Sequence, residues 1–203
     1  MRKRVVLFGC VMVFLCACTS NDDPEILSKK LSAGYLPLSV GNYWDFKAVQ
    51  SSTGSIVQHR EVNSIEQLNG REYYLVTSHW TSGNSPIDSV YYRVESDGDV
   101  YTYRKSMGIE ELKYKILAGD GESWSYPVDN GVMNVTLHLG TVNTGSKTVD
   151  DCKGYYFDVD RWADEEHTDT LAPGVGFIRE YSDAWGVGII LSKASIGGTV
   201  IEY

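Results

Sequence analysis

Alternation of apolar and polar side chains, which begins after Pro37, is the feature that most restricts how this chain can fold. Apolar residues at every second position place one face of a β-strand in a core and the other face in solvent. Three dipeptides between such segments favour tight hairpin turns, namely Asn69-Gly70, Asp97-Gly98 and Gly197-Gly198. Because only antiparallel strands can be joined by so short a connection, the pattern predicts an antiparallel sheet.

The same alternation is repeated along most of the chain, and each segment has one apolar and one polar set of side chains. The apolar sets are Val90, Tyr92, Val94, Tyr101 and Tyr103; Leu112, Tyr114, Ile116 and Ala118; Met133, Val135, Leu137 and Leu139; and Tyr155, Phe157 and Val159. The spacing predicts about ten strands in a single domain over residues 35–203. An antiparallel meander of that length must curl or split into two packed sheets, so we expect an all-β curved sheet, half-barrel or sandwich.

A two-residue turn at Asp97-Gly98 would fix the register of the hairpin around it and pair Tyr92 with Tyr103. The polar face of that hairpin then carries Tyr91, Arg93 and Arg104. An aromatic ring beside guanidinium groups offers stacking together with hydrogen-bond donors, so this face is a candidate binding surface with an exposed tyrosine at position 91. The alternative is that these side chains only pair across the strands and keep the sheet soluble.

A second group of candidate binding residues lies in a later strand. Tyr156 and Trp162 share a strand face with Asp158 and Asp160, which places aromatic surface beside hydrogen-bond acceptors. Glycan and protein partners both use rings flanked by polar groups, so both stay open as expected partners.

The first 18 residues have the composition of an exported protein. Three basic residues, Arg2 to Arg4, precede the apolar run Val5 to Leu15, which is typical of a secretory signal and too short to span a bilayer. Leu15, Ala17 and Cys18 resemble the lipobox of bacterial lipoproteins. The resemblance implies removal of residues 1–17 and attachment of lipid, such as palmitate, to the cysteine, and two or more acyl chains hold a protein firmly on a membrane. The alternative is an ordinary cleaved signal that happens to contain cysteines.

Residues 18–34 are expected to form a lipidated tether between the membrane and the β domain. Asp23-Pro24 favours the start of a short helix and Gly34 favours its end, and a disordered tether is the alternative. The segment from Ser20 to Asp23 resembles the surface-export signal of Bacteroidetes lipoproteins, and a solvated acidic spacer is the alternative. We therefore expect an outer-membrane lipoprotein of the cell envelope, either displayed on the surface or held in the periplasm.

The charge balance argues against two classes of partner. The chain has 18 basic and 27 acidic residues, and loss of Arg2, Lys3 and Arg4 with the signal changes its net charge from −9 to −12. Nucleic-acid binding needs clustered Lys and Arg, and so does attachment to anionic lipid head groups. We expect no nucleic-acid partner, and a membrane contact made through the lipid on Cys18.

Cys152 is the one cysteine that remains unmodified once residues 1–17 are removed and Cys18 carries lipid. No intramolecular disulfide is therefore expected in the mature chain. We expect this thiol to pack as a small hydrophobic group, with a pKa raised by the neighbouring Asp150 and Asp151.

The sequence contains no recognisable catalytic, cofactor or metal motif. Gly121 to Ser125 lacks the last glycine of a nucleophile elbow. In an unbulged hairpin around Asn69-Gly70, His59 and His79 would point to opposite faces and could not bind one metal ion. The acidic stretch Asp158 to Asp169 fits no calcium loop. We therefore expect no catalytic residue, no metal and no cofactor.

Two motifs resemble those of a large set of uncharacterised bacterial lipoproteins of the Bacteroidetes type. Pro37-Leu38-Ser39-Val40-Gly41-Asn42-Tyr43-Trp44 resembles their P-L-x-x-G-N-x-W opening, and Ala172-Pro173-Gly174-Val175-Gly176 resembles the A-P-G-V-G motif near their end. The resemblance implies a shared curved antiparallel sheet or half-barrel and brings no activity with it. The glycines and aromatic residues of both motifs are expected to be structural.

Three functions agree with these features. The first is a lipid-anchored envelope protein that binds or scaffolds without catalysis, its partner being a glycan, a small apolar ligand or another envelope protein. The second is a half-barrel that carries a small apolar or lipid ligand in its concave face. The third is a hydrolase whose site the sequence does not reveal. The shape and polarity of the concave face would separate them.

Overall fold

The computed structural model describes residues 34–50, 54–81, 86–129, 131–160, 162 and 164–203, and these form one antiparallel sheet of thirteen strands. The strands are β1 (Tyr43–Ala48), β2 (Ile56–Leu68), β3 (Arg71–Trp80), β4 (Asp88–Val94), β5 (Asp99–Arg104), β6 (Ile109–Lys115), β7 (Ser123–Val128), β8 (Gly131–Asn143), β9 (Thr148–Val159), β10 (His167–Ala172), β11 (Gly176–Ser182), β12 (Val187–Ile196) and β13 (Thr199–Glu202). The all-β prediction is confirmed. The predicted signal, lipid site and short helix lie outside the described residues.

The strand order is β6-β5-β4-β3-β2-β1-β12-β11-β10-β9-β8-β7, with β13 added beside β12. β6 and β7 are therefore the two edges, and the curled sheet brings them together without a backbone ladder. The indole N–H of Trp124 on β7 donates to the carbonyl of Leu112 on β6 over 3.1 Å. The hydroxyl of Tyr155 on β9 donates to the carbonyl of Lys115 over 3.4 Å. Side chains thus close the sheet into a nearly complete barrel, and we call this line of contact the seam.

The two ends of the barrel differ. Odd-numbered strands from β1 to β11 run towards one end, which we call the open end, and even-numbered strands run back. The other end, the closed end, is filled by the segment before β1, in which Leu36 and Leu38 are buried. Trp44 packs edge-on against Phe177 there, with ring centroids 5.2 Å apart. The P-L-x-x-G-N-x-W and A-P-G-V-G segments therefore meet in one apolar plug.

The hairpin between β4 and β5 does not have the predicted two-residue turn. Glu95 N–H donates to the Asp99 carbonyl over 2.9 Å, so the loop has three residues, and Gly98 takes the left-handed conformation at its end with φ of 86°. Tyr91 consequently pairs with Tyr103 rather than with Arg104. A slip of one residue moves every side chain of one strand to the other face.

The predicted exposure of Tyr91 is wrong for this reason, because the side chain is only 9% exposed. Arg93 on the same face is also buried, in an outer cluster that the corrected register assembles. Its guanidinium forms ion pairs with Glu95 and Glu110, and it lies 4.6 Å from the centroid of the Tyr101 ring. The face of β4 and β5 that was predicted to lie in solvent is therefore covered by the aromatic and charged side chains that it carries.

The hairpin between β2 and β3 has the predicted Asn69-Gly70 turn, and Gly197-Gly198 likewise joins β12 to β13 in the predicted register. A bulge at Asn63 then shifts the pairing, so His59 lies opposite His79, with ring centroids 5.2 Å apart. The prediction that these histidines point to opposite faces is wrong because it assumed no bulge. Within the residues that the structure describes, no group of three or more His, Cys, Asp and Glu is arranged to hold a metal ion.

No helix in the described part of the chain is both long and apolar enough to cross a membrane.

Candidate functional site

The inward-facing side chains change character along the barrel axis. On β2 the inward-facing side chains are Val62 near the closed end and then Arg60 and Gln58 towards the open end. Arg60 pairs with Trp44 of β1, whose side chain faces the interior, so Arg60 faces the interior as well. On β10 they run from Leu171 to Asp169 in the same direction. The apolar plug thus gives way to a buried layer of charges halfway along the barrel.

Above this layer the interior is hollow. Three cavities of about 620, 510 and 480 Å³ share lining residues and form one depression that opens at the open end, which we call the cup. The first lies beside the seam and the second lies against β11 and β12. The third joins them, because it shares Tyr92 and Lys113 with the first and Trp80, Asp169 and Glu180 with the second.

An ion pair between β2 and β11 forms one half of the floor of the cup. Arg60 Nη1 lies 2.5 Å from Glu180 Oε1, and Arg60 Nη2 donates to Gln58 Oε1 over 3.0 Å. The guanidinium also stacks 4.6 Å from the centroid of Phe177. Burial would lower the pKa of Arg60, but the carboxylate of Glu180 raises it overall, so the guanidinium stays charged. This half of the floor rests directly on the apolar plug.

A second ion pair, between β6 and β10, forms the other half. Lys113 Nζ lies 3.0 Å from Asp169 Oδ2 and 3.8 Å from the centroid of Phe157. The hydroxyl of Tyr114 donates to the same carboxylate oxygen over 2.9 Å. Burial would raise the pKa of Asp169, but Lys113, His167 and Tyr114 lower it overall. The carboxylate is therefore held ionised inside the barrel.

The alternation of Leu112, Tyr114, Ile116 and Ala118 with polar residues predicts that Lys113 lies on the outer, polar face of its strand, and this prediction is wrong. Val100 pairs with Tyr114 and Tyr101 pairs with Leu112, so Lys113 is the extra residue of a bulge. A bulge lets two successive side chains point to the same side, and here both enter the barrel. One local irregularity therefore supplies the cup with its lysine.

The polar atoms of the floor bond mainly to one another. Among the described residues, Arg179 Nε is the one buried side-chain nitrogen or oxygen atom without a hydrogen-bond partner. Burial raises the pKa values of Tyr92 and Tyr126, so both hydroxyls are neutral in the cup wall. The polar atoms of the floor therefore already have hydrogen-bond or ion-pair partners, and a ligand would contact those floor atoms that stay exposed. The side chain of Glu180, 30% exposed, offers the largest such surface of the two floor carboxylates.

Tryptophan side chains mark the rim of the cup. Three of the five tryptophans of the chain, Trp80, Trp162 and Trp185, are exposed, and all three lie where strands end or turn at the open end. The indole N–H of Trp185 donates to the carbonyl of Asp164 over 3.3 Å, which ties the β11–β12 turn to the segment after β9. Acidic residues accompany these rings, including Asp160, Asp164, Glu165, Glu166 and Asp183.

The five candidate binding residues from the sequence do not form one surface. Tyr91 is buried on the outer face of β4, opposite Tyr103, and Lys105 Nζ lies 5.2 Å from the centroid of its ring. Arg104 lines the seam side of the cup, where it pairs with Glu111 and Asp129. Arg93 belongs to the outer cluster instead. Tyr156 lies on the outer face of β9, and Trp162 lies at the rim with 45% of its surface exposed. A binding role for each of them stays a prediction.

The residues that build the cup were missed because a charge within a strand usually indicates the solvent face. A usable signal was nevertheless present in the period of two. Asp169 stands two residues from Leu171, and Glu180 stands two residues from Ile178. Residues two positions apart in a strand point to the same face, so a charged residue two positions from a buried apolar residue indicates a partly polar interior.

Cys152 is buried, with 1% of its surface exposed. Burial is the main reason why its pKa rises to about 11, and Asp150 and Asp151 add to the effect. The expected packing role is confirmed, although the principal cause of the shift is burial rather than the two carboxylates.

No family model matches this chain, and no curated protein matches it. Two solved structures are similar to it. A candidate lipoprotein from Parabacteroides distasonis has a TM-score of 0.44 at 13% identity, over 82% of this chain and 97% of that one. A candidate exported protein with a YmcC-like fold from Bacteroides fragilis has a TM-score of 0.39 at 9% identity, over 83% of this chain and 99% of that one. Likeness at this level says nothing about ligand or activity.

Proposed function

We propose that this chain is a lipid-anchored protein of the bacterial cell envelope that binds a small molecule in the cup, without catalysis. The observation that supports this most directly is the continuous depression of three cavities at the open end. Sites for small molecules are concave, have volumes of roughly 300–1,000 Å³ and combine apolar walls with a few polar groups. The cup has these properties.

The floor decides what kind of small molecule fits. A wholly apolar ligand would cover Glu180 and Lys113 without replacing the water that they lose, and burial of unpaired charge is costly. The expected ligand therefore has a polar end for the floor and an apolar body for the walls. This favours a binding module for an amphiphilic molecule over a carrier of a purely apolar lipid.

The anchor is proposed to be lipid on Cys18, in the outer membrane and with the domain exposed to the cell exterior. The described chain begins at the closed end, where Gly174 N–H donates to the carbonyl of Gly34 over 2.5 Å. The tether thus reaches the barrel at its plugged end. The mouth of the cup, as the described residues form it, faces the opposite way.

Binding of the neutral fluorescent probe N-phenyl-1-naphthylamine tests the proposal. The protein is the mature chain with Cys18→Ser, which carries no lipid. We expect saturable binding that Val57→Trp weakens at least about tenfold, because the indole fills the cavity that Val57 lines. The matched control is Val200→Trp, at an exposed position of β13 outside the cup, which should leave the affinity unchanged. Absent binding, or an equal effect of both variants, would rule out the cup as the site.

A further inference from the structure

One side of the cup combines apolar surface with negative charge. The cavity of about 510 Å³ is lined mainly by apolar side chains, among them Val57, Trp80, Val187 and Ile189. We call this lining the apolar wall. Among the residues that the structure describes, the acidic and basic side chains lining the same cavity are His167, Asp169 and Glu180, without a lysine or an arginine. A ligand on this wall therefore meets carboxylates directly, whereas the cations paired with them, Arg60 and Lys113, line the adjoining cavity.

The adjoining cavity adds Asp88, an exposed carboxylate at the start of β4, to the two ion pairs of the floor. Together the two cavities are lined by three carboxylates, Asp88, Asp169 and Glu180, and by two cations, Arg60 and Lys113. Each cation is already paired, Arg60 with Glu180 and Lys113 with Asp169. These two cavities thus have one carboxylate more than they have Lys and Arg, and a positively charged group would balance it.

The two floor carboxylates differ in how well a ligand can reach them. The side chain of Asp169 is 10% exposed and its Oδ2 contacts both Lys113 and Tyr114. The side chain of Glu180 is three times as exposed and pairs with Arg60 through Oε1. Glu180 borders the apolar wall, so a cation there would have its apolar body against Trp80 and the aliphatic side chains. The indole also offers a face for a cation–π contact.

The rim would attract the same kind of ligand. The acidic residues around the exposed tryptophans belong to a chain whose net charge is −9. Clefts lined by charge of one sign raise the local concentration of oppositely charged ligands and speed their association. The charge of the rim and that of the apolar wall therefore favour the same ligand.

We infer that the cup binds an organic amine, a molecule with an ammonium group and an alkyl or aryl body, whose positive end lies beside Glu180 and whose body covers the apolar wall. This inference rests on the proposed function, since it names the ligand class of the same site. It predicts selection by charge among molecules of equal length.

The test is displacement of N-phenyl-1-naphthylamine by octylamine, octanol and octanoate at pH 7, on the mature chain with Cys18→Ser. Octylamine should displace the probe at a concentration at least about tenfold lower than octanoate, with octanol between them, and added salt should narrow the difference. Probe binding without preference for octylamine over octanoate would overturn the inference and leave the proposed function standing. Failure of the probe to bind would overturn both.

A matched pair of variants places the selectivity at the apolar wall. Ser182 lines this cavity two residues beyond Glu180 on β11. Ser182→Lys adds a fixed ammonium there and should abolish the preference for octylamine, whereas Ser182→Met has similar length and no charge and should keep it. Probe binding serves as the folding control for both variants. An unchanged ratio of octylamine to octanoate in Ser182→Lys would show that the ammonium binds elsewhere.

Discussion

The indole N–H of Trp44 donates a buried hydrogen bond of 2.7 Å to the carbonyl of Val175, which lies 131 positions later in the chain. This bond joins the two segments that resemble the lipoprotein motifs, and it satisfies the polar atom of a side chain that is otherwise wholly apolar and buried. Gly176 lies directly behind the indole. The motifs are thus explained by the packing of the closed end, with no need for a ligand.

Gly176→Ala should destabilise the protein more than Gly174→Ala. Both glycines have positive φ, 93° and 73°, so both substitutions strain the backbone by about 1–2 kcal/mol. Only at Gly176 would a Cβ lie 3.1 Å from Trp44 and Pro37, whereas nothing lies within 4 Å at Gly174. The overlap should add about 1–3 kcal/mol to the loss in free energy of unfolding, measured in urea. Equal losses would mean that the plug relaxes freely.

Asp169→Asn should lower stability in a way that depends on pH. The folded protein holds the pKa of Asp169 below its ordinary value of about 3.9, so the ionised carboxylate stabilises the fold above about pH 4. Protonation removes that contribution as the pH falls through the lower, folded-state pKa. At pH 7 the variant leaves Lys113 without its partner and should lose about 3–5 kcal/mol.

The gap between the wild type and Asp169→Asn should therefore narrow as the pH falls below about 4. Urea unfolding at a series of pH values measures this. Asp158→Asn is the control, since Asp158 lies on the outer face of β9 and should cost under about 0.5 kcal/mol. A gap that stays constant down to pH 2 would show that the charge of Asp169 contributes nothing.

Tyr91→Ala should destabilise the fold, and Trp162→Ala should not. Tyr91 is buried on the outer face of β4, where Lys105 covers its ring, so its truncation leaves a cavity and should cost about 3 kcal/mol or more. Trp162 is exposed at the rim, where substitution typically changes stability by under about 0.5 kcal/mol. Thermal unfolding of both variants checks this. A large loss in Trp162→Ala would mean that the rim is packed rather than open.

Cys18→Ala should release the protein from membranes or leave it as an unprocessed precursor, because the proposed lipid would have no attachment point. Fractionation of cells and sequencing of the mature N-terminus measure the outcome. A correctly processed Cys18→Ala protein that stays in the membrane fraction would contradict the lipobox interpretation. Cys152→Ala is the matched control, since this buried thiol is far from the anchor in sequence and should leave fractionation unchanged.

Strands and two of the three proposed two-residue turns could be predicted, because both features are local. Asn69-Gly70 and Gly197-Gly198 place both central residues at positive φ, the conformation for which these dipeptides are suited. Bulges could not be predicted, since Asn63 and Lys113 are inserted wherever the curvature of the whole sheet requires an extra residue. Beyond each bulge, the residues that the alternation assigns to the inner face lie on the outer face, and the reverse. The errors over the histidines and over Lys113 have this single origin.

The candidate site was missed for a different physical reason. A strand with alternating charged and apolar residues indicates one wet face, and most charged strand residues do lie in solvent. Arg60 and Asp169 instead lie inside the barrel, where partners on distant strands stabilise their charges. Those partners are separated from them by tens of residues in sequence. Only the closed sheet brings them together.

The described chain begins at the plugged end of the barrel, with Gly34 bonded to Gly174, and this placement has an electrostatic consequence for the cup under the proposed function. The strands of the barrel have 4 to 13 residues, and the longer ones span roughly 40 Å at about 3.3 Å per residue. Charge on lipid head groups is screened over about 8 Å at physiological ionic strength. If the proposed lipid on Cys18 attaches the chain to a membrane, the mouth would lie several screening lengths from the bilayer. The electrostatic attraction of a ligand to the cup would therefore depend on the charges of the protein and not on the lipid composition of the leaflet.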